Sequence, residues 1–302
     1  MREETLSIGE LARRTGVPVR TVRFYCDEGF VESVRSGGGH RRFGPEAVDR
    51  LTLLRRLRAL GLGLAAIESV LGGQRSVAEA AARERARVEG ELAALAWRRA
   101  SLSAVERAAP AERAARLELL AAVGDGRAAR DALESFWSRL VLPSLPGRDA
   151  DMVISVSVPA PPEDPTPEQV VAYAALVAIV GDERLRRLVR ARSRDRSASV
   201  AYQRALVADG FGVALKLALP RVRAGERPGP GPLLDRFVAV HAAARGTGDS
   251  PVFRRELLRA AAADRAPGLR RYWRLVGDVT GEDVTLGEGH AWLLDALDRA
   301  VA

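Results

Sequence analysis

Apolar positions recur along most of the chain three and four residues apart, the period of helices that bury one face, so a mainly α protein is expected. The first such stretch is short. Ile8, Leu11 and Ala12 share one face of a helix that opens at Ser7-Ile8-Gly9-Glu10, a capping box. In such a box the serine oxygen accepts from the Glu10 amide and the glutamate reaches back. Thr15-Gly16-Val17-Pro18 closes that helix, and proline at a first-turn position opens the next over residues 18–28. On this second helix Val19, Val22 and Phe24 are expected to point inward, with Arg20, Thr21, Arg23 and Tyr25 near the outer side. Past Gly29, residues 30–35 and 40–43 flank Ser36-Gly37-Gly38-Gly39, which predicts a two-stranded hairpin with a glycine tip. Two helices, a tight turn and a basic hairpin make a winged helix-turn-helix.

A helix of this kind can enter the major groove of DNA. Arginine can bind guanine O6 and N7 through two parallel hydrogen bonds, threonine can touch a thymine methyl, and tyrosine can donate to a phosphate. The residues expected at DNA are Arg20, Thr21, Arg23 and Tyr25 on the helix, and His40, Arg41 and Arg42 at the base of the hairpin, where they could clamp the backbone. Arg13 reads as a solvated helix charge.

Residues 6–71 resemble the DNA-binding domain of the MerR (mercury-resistance regulator) family of bacterial transcription factors. The likeness rests on Ile8-Gly9-Glu10-Leu11-Ala12, on Thr21-Val22-Arg23-Phe24-Tyr25 followed by Glu28-Gly29-Phe30, and on His40-Arg41-Arg42-Phe43; it continues through residues 48–60 and Gly61-Leu62-Gly63-Leu64. It covers about a quarter of the chain. Phe24 stands where a tyrosine is usual, and Phe30-Val31 replaces Leu-Leu or Leu-Ile, swaps that keep size and apolarity. The resemblance implies a second helical pair after the wing that helps grip phosphates, then a long helix that pairs with its mate to make a homodimer. It also implies a mechanism in which the dimer bends and untwists an over-long promoter spacer so that RNA polymerase can engage both promoter elements.

The long helix is legible in its own right. Past Gly72-Gly73, a second capping box at Ser76-Val77-Ala78-Glu79 opens a helix over residues 76–109, ended by Pro110. Ala81, Val88, Leu95 and Leu102 recur every seven residues, with Leu92 at an intermediate seam position and Arg85 and Arg99 at others, an imperfect heptad. Val88, Leu92, Leu95 and Leu102 are the dimerisation residues of an expected antiparallel coiled coil. The organisation is then a winged helix-turn-helix at 1–75, a dimerisation helix at 76–109, and an all-helical regulatory domain at 110–302. Helices are expected at 111–123, 127–140, 167–189, 197–219, 232–244, 251–263 and 288–301, with a polyproline-like link at 159–165 and a Gly-Pro stretch at 225–232. Thr166-Pro167-Glu168-Gln169 is a third capping box. Residues 151–158 alternate weakly and read as an isolated strand or a buried extended segment.

Composition then narrows the chemistry. A net charge of +8 and a pI near 10.6 attract nucleic acid, but all the basic residues except Lys216 are arginine, so total charge is a weak guide. Its distribution says more: from Arg13 to Arg58 there are 11 arginines against 5 acids. The one cysteine, Cys26, excludes an intramolecular disulfide and fits a reducing compartment. Met1-Arg2-Glu3-Glu4 begins no apolar signal core and no run of about 18 apolar residues occurs, so a cytoplasmic protein without membrane contact is expected.

Cys26, His40, His241 and His290 are too scattered for a thiolate or imidazole metal site, and neither a metal nor a cofactor is expected. A cobalamin-type Asp-x-His-x-x-Gly motif is absent, with only Gly287-Glu288-Gly289-His290 as a poor substitute. An enzyme is disfavoured: the C-terminal region has no thiol, no His-carboxylate spacing for a triad and no phosphate-cradling glycine motif. What remains is a sensor of a small organic ligand or a domain that docks a partner protein. For the ligand the wall-forming candidates are Trp137, Tyr173, Tyr202, Phe237, Tyr272 and Trp273, with Glu134, Asp235 or Asp295 to receive a cation.

Overall fold

The computed structural model describes residues 5–35, 39–140, 147–196 and 210–302. Its elements begin where the capping chemistry places them. Ser7 caps α1 (Ile8–Thr15): its Oγ accepts from the Glu10 amide at 3.3 Å while a Glu10 carboxylate oxygen accepts from the Ser7 amide at 2.7 Å. The hydrogen bonds from Ser7 hold the Glu10 carboxyl below the usual carboxylate range. Gly16 ends the helix at φ +66°, where a side chain would be strained and would also meet the Arg55 guanidinium at 2.9 Å. Helix α2 follows over Val19–Asp27.

The hairpin forms as β2 (Val34–Arg35) against β3 (Arg41–Phe43), and a further strand not anticipated, β1 (Leu6–Ser7), pairs antiparallel with the other edge of β3. The sheet order is thus β1-β3-β2, with Leu6 opposite Phe43; Ser36, Gly37 and Gly38 of the expected tip lie outside the described residues. Helices α3 (Glu46–Ala59) and α4 (Leu64–Leu71) close the domain over a core in which Leu11, Val22, Phe43, Leu51, Leu54 and Ile67 are fully buried.

Helix α5 runs over Val77–Glu106, capped by Ser76 and Glu79 as expected and stopping three residues before Ala109. The chain divides into two compact units, Met1–Leu92 and Ala93–Ala302, with the boundary inside this helix.

The regular elements among the described residues of the second unit are helices: α6 (Arg113–Ala121), α7 (Gly126–Leu140), α8 (Arg148–Ser157), α9 (Pro167–Gly181), α10 (Glu183–Arg196), α11 (Phe211–Arg223), α12 (Pro232–Ala244), α13 (Pro251–Ala260), α14 (Pro267–Thr280) and α15 (Leu286–Val301). One core gathers Trp97, Ala100 and Ala104 of α5 with α6, α7, α9, α10 and α14; another gathers α11, α12, α13 and α15.

Four expectations are corrected. Residues 151–158 are not a strand: most of them lie in α8, because a lone strand leaves its backbone groups unpaired whereas a helix pairs them internally. The helix expected over 167–189 breaks after Gly181, where the Asp182 carboxylate accepts from the Arg184 amide at 2.7 Å and starts α10. Helix α14 was missed, although Pro267 at its first turn, Gly281 beyond its end and buried Leu269, Tyr272, Val276 and Val279 spaced three and four apart all mark it. The last helix starts at Leu286 under a Thr285–Glu288 capping box, two residues before the expected Glu288.

The buried polar atoms of the first core of this unit are paired. Trp137 Nε1 donates to the Tyr272 hydroxyl at 2.8 Å, which donates to the Ser157 carbonyl at 2.5 Å, and the Tyr173 hydroxyl donates to the Pro159 carbonyl at 2.6 Å. Burial pushes both tyrosine pKa values up, which keeps the hydroxyls protonated as donors. Gly287 and Gly289 also find their reason here. A Cβ at Gly287 would sit 1.8 Å from the Trp273 ring and one at Gly289 would sit 2.9 Å from the Leu215 carbonyl, so both glycines permit close helix approach.

Candidate nucleic-acid interface

Helix α2 carries two faces, and the sequence expectation misassigned part of them. Val22 is buried and Tyr25 is 9% exposed, packed edge-on to Phe30 at 6.0 Å between ring centroids, while Phe24 is 44% exposed and Val19 is exposed with it. Tyr25 therefore belongs to the core side and Phe24 to the outer side, the reverse of the expectation. The period explains it: residues 22 and 25 are three apart and share a face, whereas residue 24 lies about 200° round from residue 22.

Arg23, on the outer side of α2, meets the wing. Arg23 and Asp27 of α2, His40, Arg41 and Arg42 of the wing, and Ile8 at the start of α1 line a cleft of about 470 Å³. Four of the seven residues expected at DNA are thus brought together. Arg20 is exposed and Thr21 half-buried on the same helix, outside this cleft, and Tyr25 is removed from it.

Asp27 was not anticipated. Its carboxylate accepts from the Arg41 guanidinium at 2.6 Å and pushes the pKa of that arginine further up. Wing and α2 are thereby joined by an ion pair, at a site half-exposed enough for solvent to weaken it. Arg50 was also missed: from α3 its Nε donates to the Phe30 carbonyl at 2.6 Å and a terminal nitrogen to the Leu71 carbonyl at 3.3 Å. It ties the end of the α2 turn to the end of α4. Nothing in the sequence separates such an arginine from its solvated neighbours. Cys26 is half-buried beside this site, where burial pushes its thiol up despite the nearby Arg41 cation, as suits a small packing residue.

On α5, Val88, Leu92, Leu95 and Leu102 are exposed, the three leucines to about 60%. Trp97, Ala100 and Ala104 point to the opposite side of the helix and are buried.

The aromatic side chains expected at a ligand separate. Trp137, Tyr272 and Trp273 touch one another, with ring centroids 5.5–5.8 Å apart, and Tyr173 packs on Trp97 in the same core. Phe237 lies in the other core among Phe211, His241 and His290, and Tyr202 lies outside the described residues. The acids proposed for a cationic ligand are engaged by arginines: Glu134 by Arg130 at 2.6 Å, Asp235 by Arg254 at 2.7 Å, Asp295 by Arg270 at 2.5 Å. Among the described residues no three His, Cys, Asp or Glu side chains gather into a set able to hold a metal ion, and no helix is long and apolar enough to cross a membrane.

A helix-turn-helix whose second helix shares a basic cleft with a β-hairpin is a winged helix-turn-helix domain. Residues 6–74 match the MerR HTH family regulatory protein family, and the chain carries the helix-turn-helix domain of that family. The chain is 39% identical over 71 residues to the HTH-type transcriptional activator SoxR homolog of Chromobacterium violaceum, covering 24% of this chain and 48% of the relative. It is 37% identical over 93 residues to the nodulation protein NolA of a Bradyrhizobium species, covering 30% and 39%. It is 39% identical over 66 residues to the mercuric resistance operon regulatory protein of Bacillus cereus, covering 22% and 50%. The chain spans half or less of the length of these curated relatives. No solved structure matches it.

Proposed function

We propose that the protein is a homodimeric, sequence-specific DNA-binding regulator of transcription, of MerR type, which places α2 in a major groove and the wing on the adjacent backbone. The observation that carries this reading is the convergence of Arg23, His40, Arg41 and Arg42 on one cleft. Arg23, with Arg20 and Thr21 on the same helix, is the base-reading group; Arg41 and Arg42 take phosphates, Arg41 by leaving Asp27. Exposed Phe24, one turn from Arg20, adds an apolar surface beside it, suited to a thymine methyl. The relatives named above support the regulatory role through their domain, and the exposed leucines of α5 support the dimer.

Arg23→Ala is expected to weaken binding to a duplex selected by the wild-type chain by about 1–3 kcal/mol, roughly 5- to 150-fold, with little change on scrambled duplex. Equal loss on both, measured by fluorescence anisotropy, reassigns Arg23 to phosphate.

By the same reading the dimer distorts its promoter for RNA polymerase, and the C-terminal unit sets the dimer's shape in response to an organic ligand through a difference in affinity for two conformations. Trp137 and Tyr272 are buried with their polar atoms engaged, so a ligand at this cluster would meet the partly exposed Trp273 ring. A ligand of this kind stabilises the unit by about 2.7 kcal/mol at 100 times its dissociation constant, and the thermal midpoint rises with its concentration. A flat response across a panel of metabolites and antibiotics would assign the unit to protein docking instead.

A further inference from the structure

Helix α10 is among the most basic stretches of its unit. Residues 183–196 hold seven arginines against two acids, a surplus of +5 within 14 residues of a chain whose total surplus is +8. Together with the +6 of residues 13–58 this exceeds the whole, so the remaining 242 residues are net acidic by 3. A general preference for arginine does not produce that pattern. Elsewhere several arginines are matched by acids, as in the pairs Arg130–Glu134, Arg254–Asp235, Arg265–Asp298 and Arg270–Asp295. Residues 254–274 carry a like surplus, seven arginines against two acids, but there Arg254, Arg265 and Arg270 are held by Asp235, Asp249, Asp298 and Asp295.

The geometry of α10 turns three of these arginines outward. Leu185 and Val189 are buried in the core shared with α7, α9 and α14, which fixes the inner face of the helix. Arg186 bends back, donating to the Val180 carbonyl at 2.7 Å and pairing with Glu183 at 3.5 Å. Arg184, Arg187 and Arg190 are exposed at three-residue spacing on the outer side, and among the described side chains no carboxylate lies within ion-pair distance of them. Among the described side chains Leu188 is the exposed apolar residue beside them.

We propose that this face is a second, sequence-independent contact for duplex DNA, in which Arg184, Arg187 and Arg190 take phosphate oxygens of the backbone. Guanidinium forks match phosphate oxygens through paired hydrogen bonds, and unpaired cations on a folded helix gain by displacing counterions from the duplex. A lipid surface is the weaker match, because an interfacial helix needs an apolar face to bury and Leu188 alone does not supply one. The inference rests on the DNA-binding reading of the first unit only for its tether: a duplex held by that unit is presented to α10 at high effective concentration.

The test uses the full chain and a labelled random-sequence duplex of about 60 base pairs, titrated over about 50–200 mM salt. The variant Arg184→Gln/Arg187→Gln/Arg190→Gln is expected to bind about tenfold or more weakly at the low end and to lower the slope of log affinity against log salt by about 2 to 3. Its preference for a duplex selected by the wild-type chain over a scrambled one persists, and Arg184→Lys/Arg187→Lys/Arg190→Lys restores the slope. An unchanged slope overturns the proposal, as does failure of the lysine variant to restore it. Tighter binding of phosphatidylglycerol vesicles than of duplex, lost in the glutamine variant, overturns it in favour of a membrane surface. Should the wild-type chain prefer no duplex at all while the slope still falls in the glutamine variant, the α10 contact stands and the regulatory reading fails.

Discussion

A chain carrying Leu92→Glu and Leu95→Glu together is expected to sediment as a monomer and to bind its selected duplex at least about a hundredfold more weakly than the wild type. Both leucines are about 60% exposed on α5, on the side turned away from buried Trp97, Ala100 and Ala104. Their substitution therefore removes nothing from the core of either unit. Burying a leucine stabilises by about 1.5–3 kcal/mol, and a two-fold pairing repeats each contact, so four leucines contribute far more than the 2.7 kcal/mol that separates a hundredfold in affinity. Glutamates placed at the seam add mutual repulsion and a desolvation cost. Arg85 and Arg87 pair within one chain with Glu84, Glu89 and Glu91, and these pairs remain to support the helix. A species that stays dimeric by sedimentation velocity, with binding intact, removes the seam from the account and moves the dimer interface elsewhere.

Phe43→Ala carries the second large effect, on stability. Phe43 is fully buried, pairs through its backbone with Leu6, and packs in the core formed with Leu11, Leu51 and Leu54. Emptying such a site costs about 3–5 kcal/mol, against the 5–15 kcal/mol that holds a typical domain together. The first unit is small and its sheet has only three short strands, so this loss is a large part of its reserve. In a domain of this size each kcal/mol moves the midpoint by about 4–8 °C, which puts the expected fall at about 15 °C or more. Differential scanning calorimetry reads it directly. Binding should fail at temperatures where the wild-type domain still binds, because β3 carries both Phe43 and the arginines of the wing. A shift below about 4 °C would mean that β3 is dispensable to the core.

The parts of the fold that were legible are those written in contiguous residues. Capping boxes at Ser7, Ser76 and Thr166 each start the helix they announce, since a cap and its third residue need nothing distant to form. The basic hairpin was likewise visible from its glycines and flanking strands. The misses share a cause. Exchanging the faces of Phe24 and Tyr25 follows from reading polarity in place of period: a hydroxyl does not keep a tyrosine outside when Phe30 offers its ring an edge. Residues 151–158 alternate as a strand would, yet they have no sheet to join. The aromatic residues of the second unit share hydrophobicity but divide between two cores, and no local pattern states which helices meet.

Residue order alone thus settled the class of the N-terminal domain, the positions of its helices and the concentration of arginine on its reading head, because caps, turns and charge density are local properties. The partners of individual side chains needed the folded chain. That Asp27 holds Arg41, that Arg50 ties two turns together, that Trp137 and Tyr272 share a proton donor chain to Ser157, and that α10 exposes three arginines are outcomes of packing. Each joins residues, or exposes faces, according to which helix lies against which, and that choice is made by burial summed over the whole core.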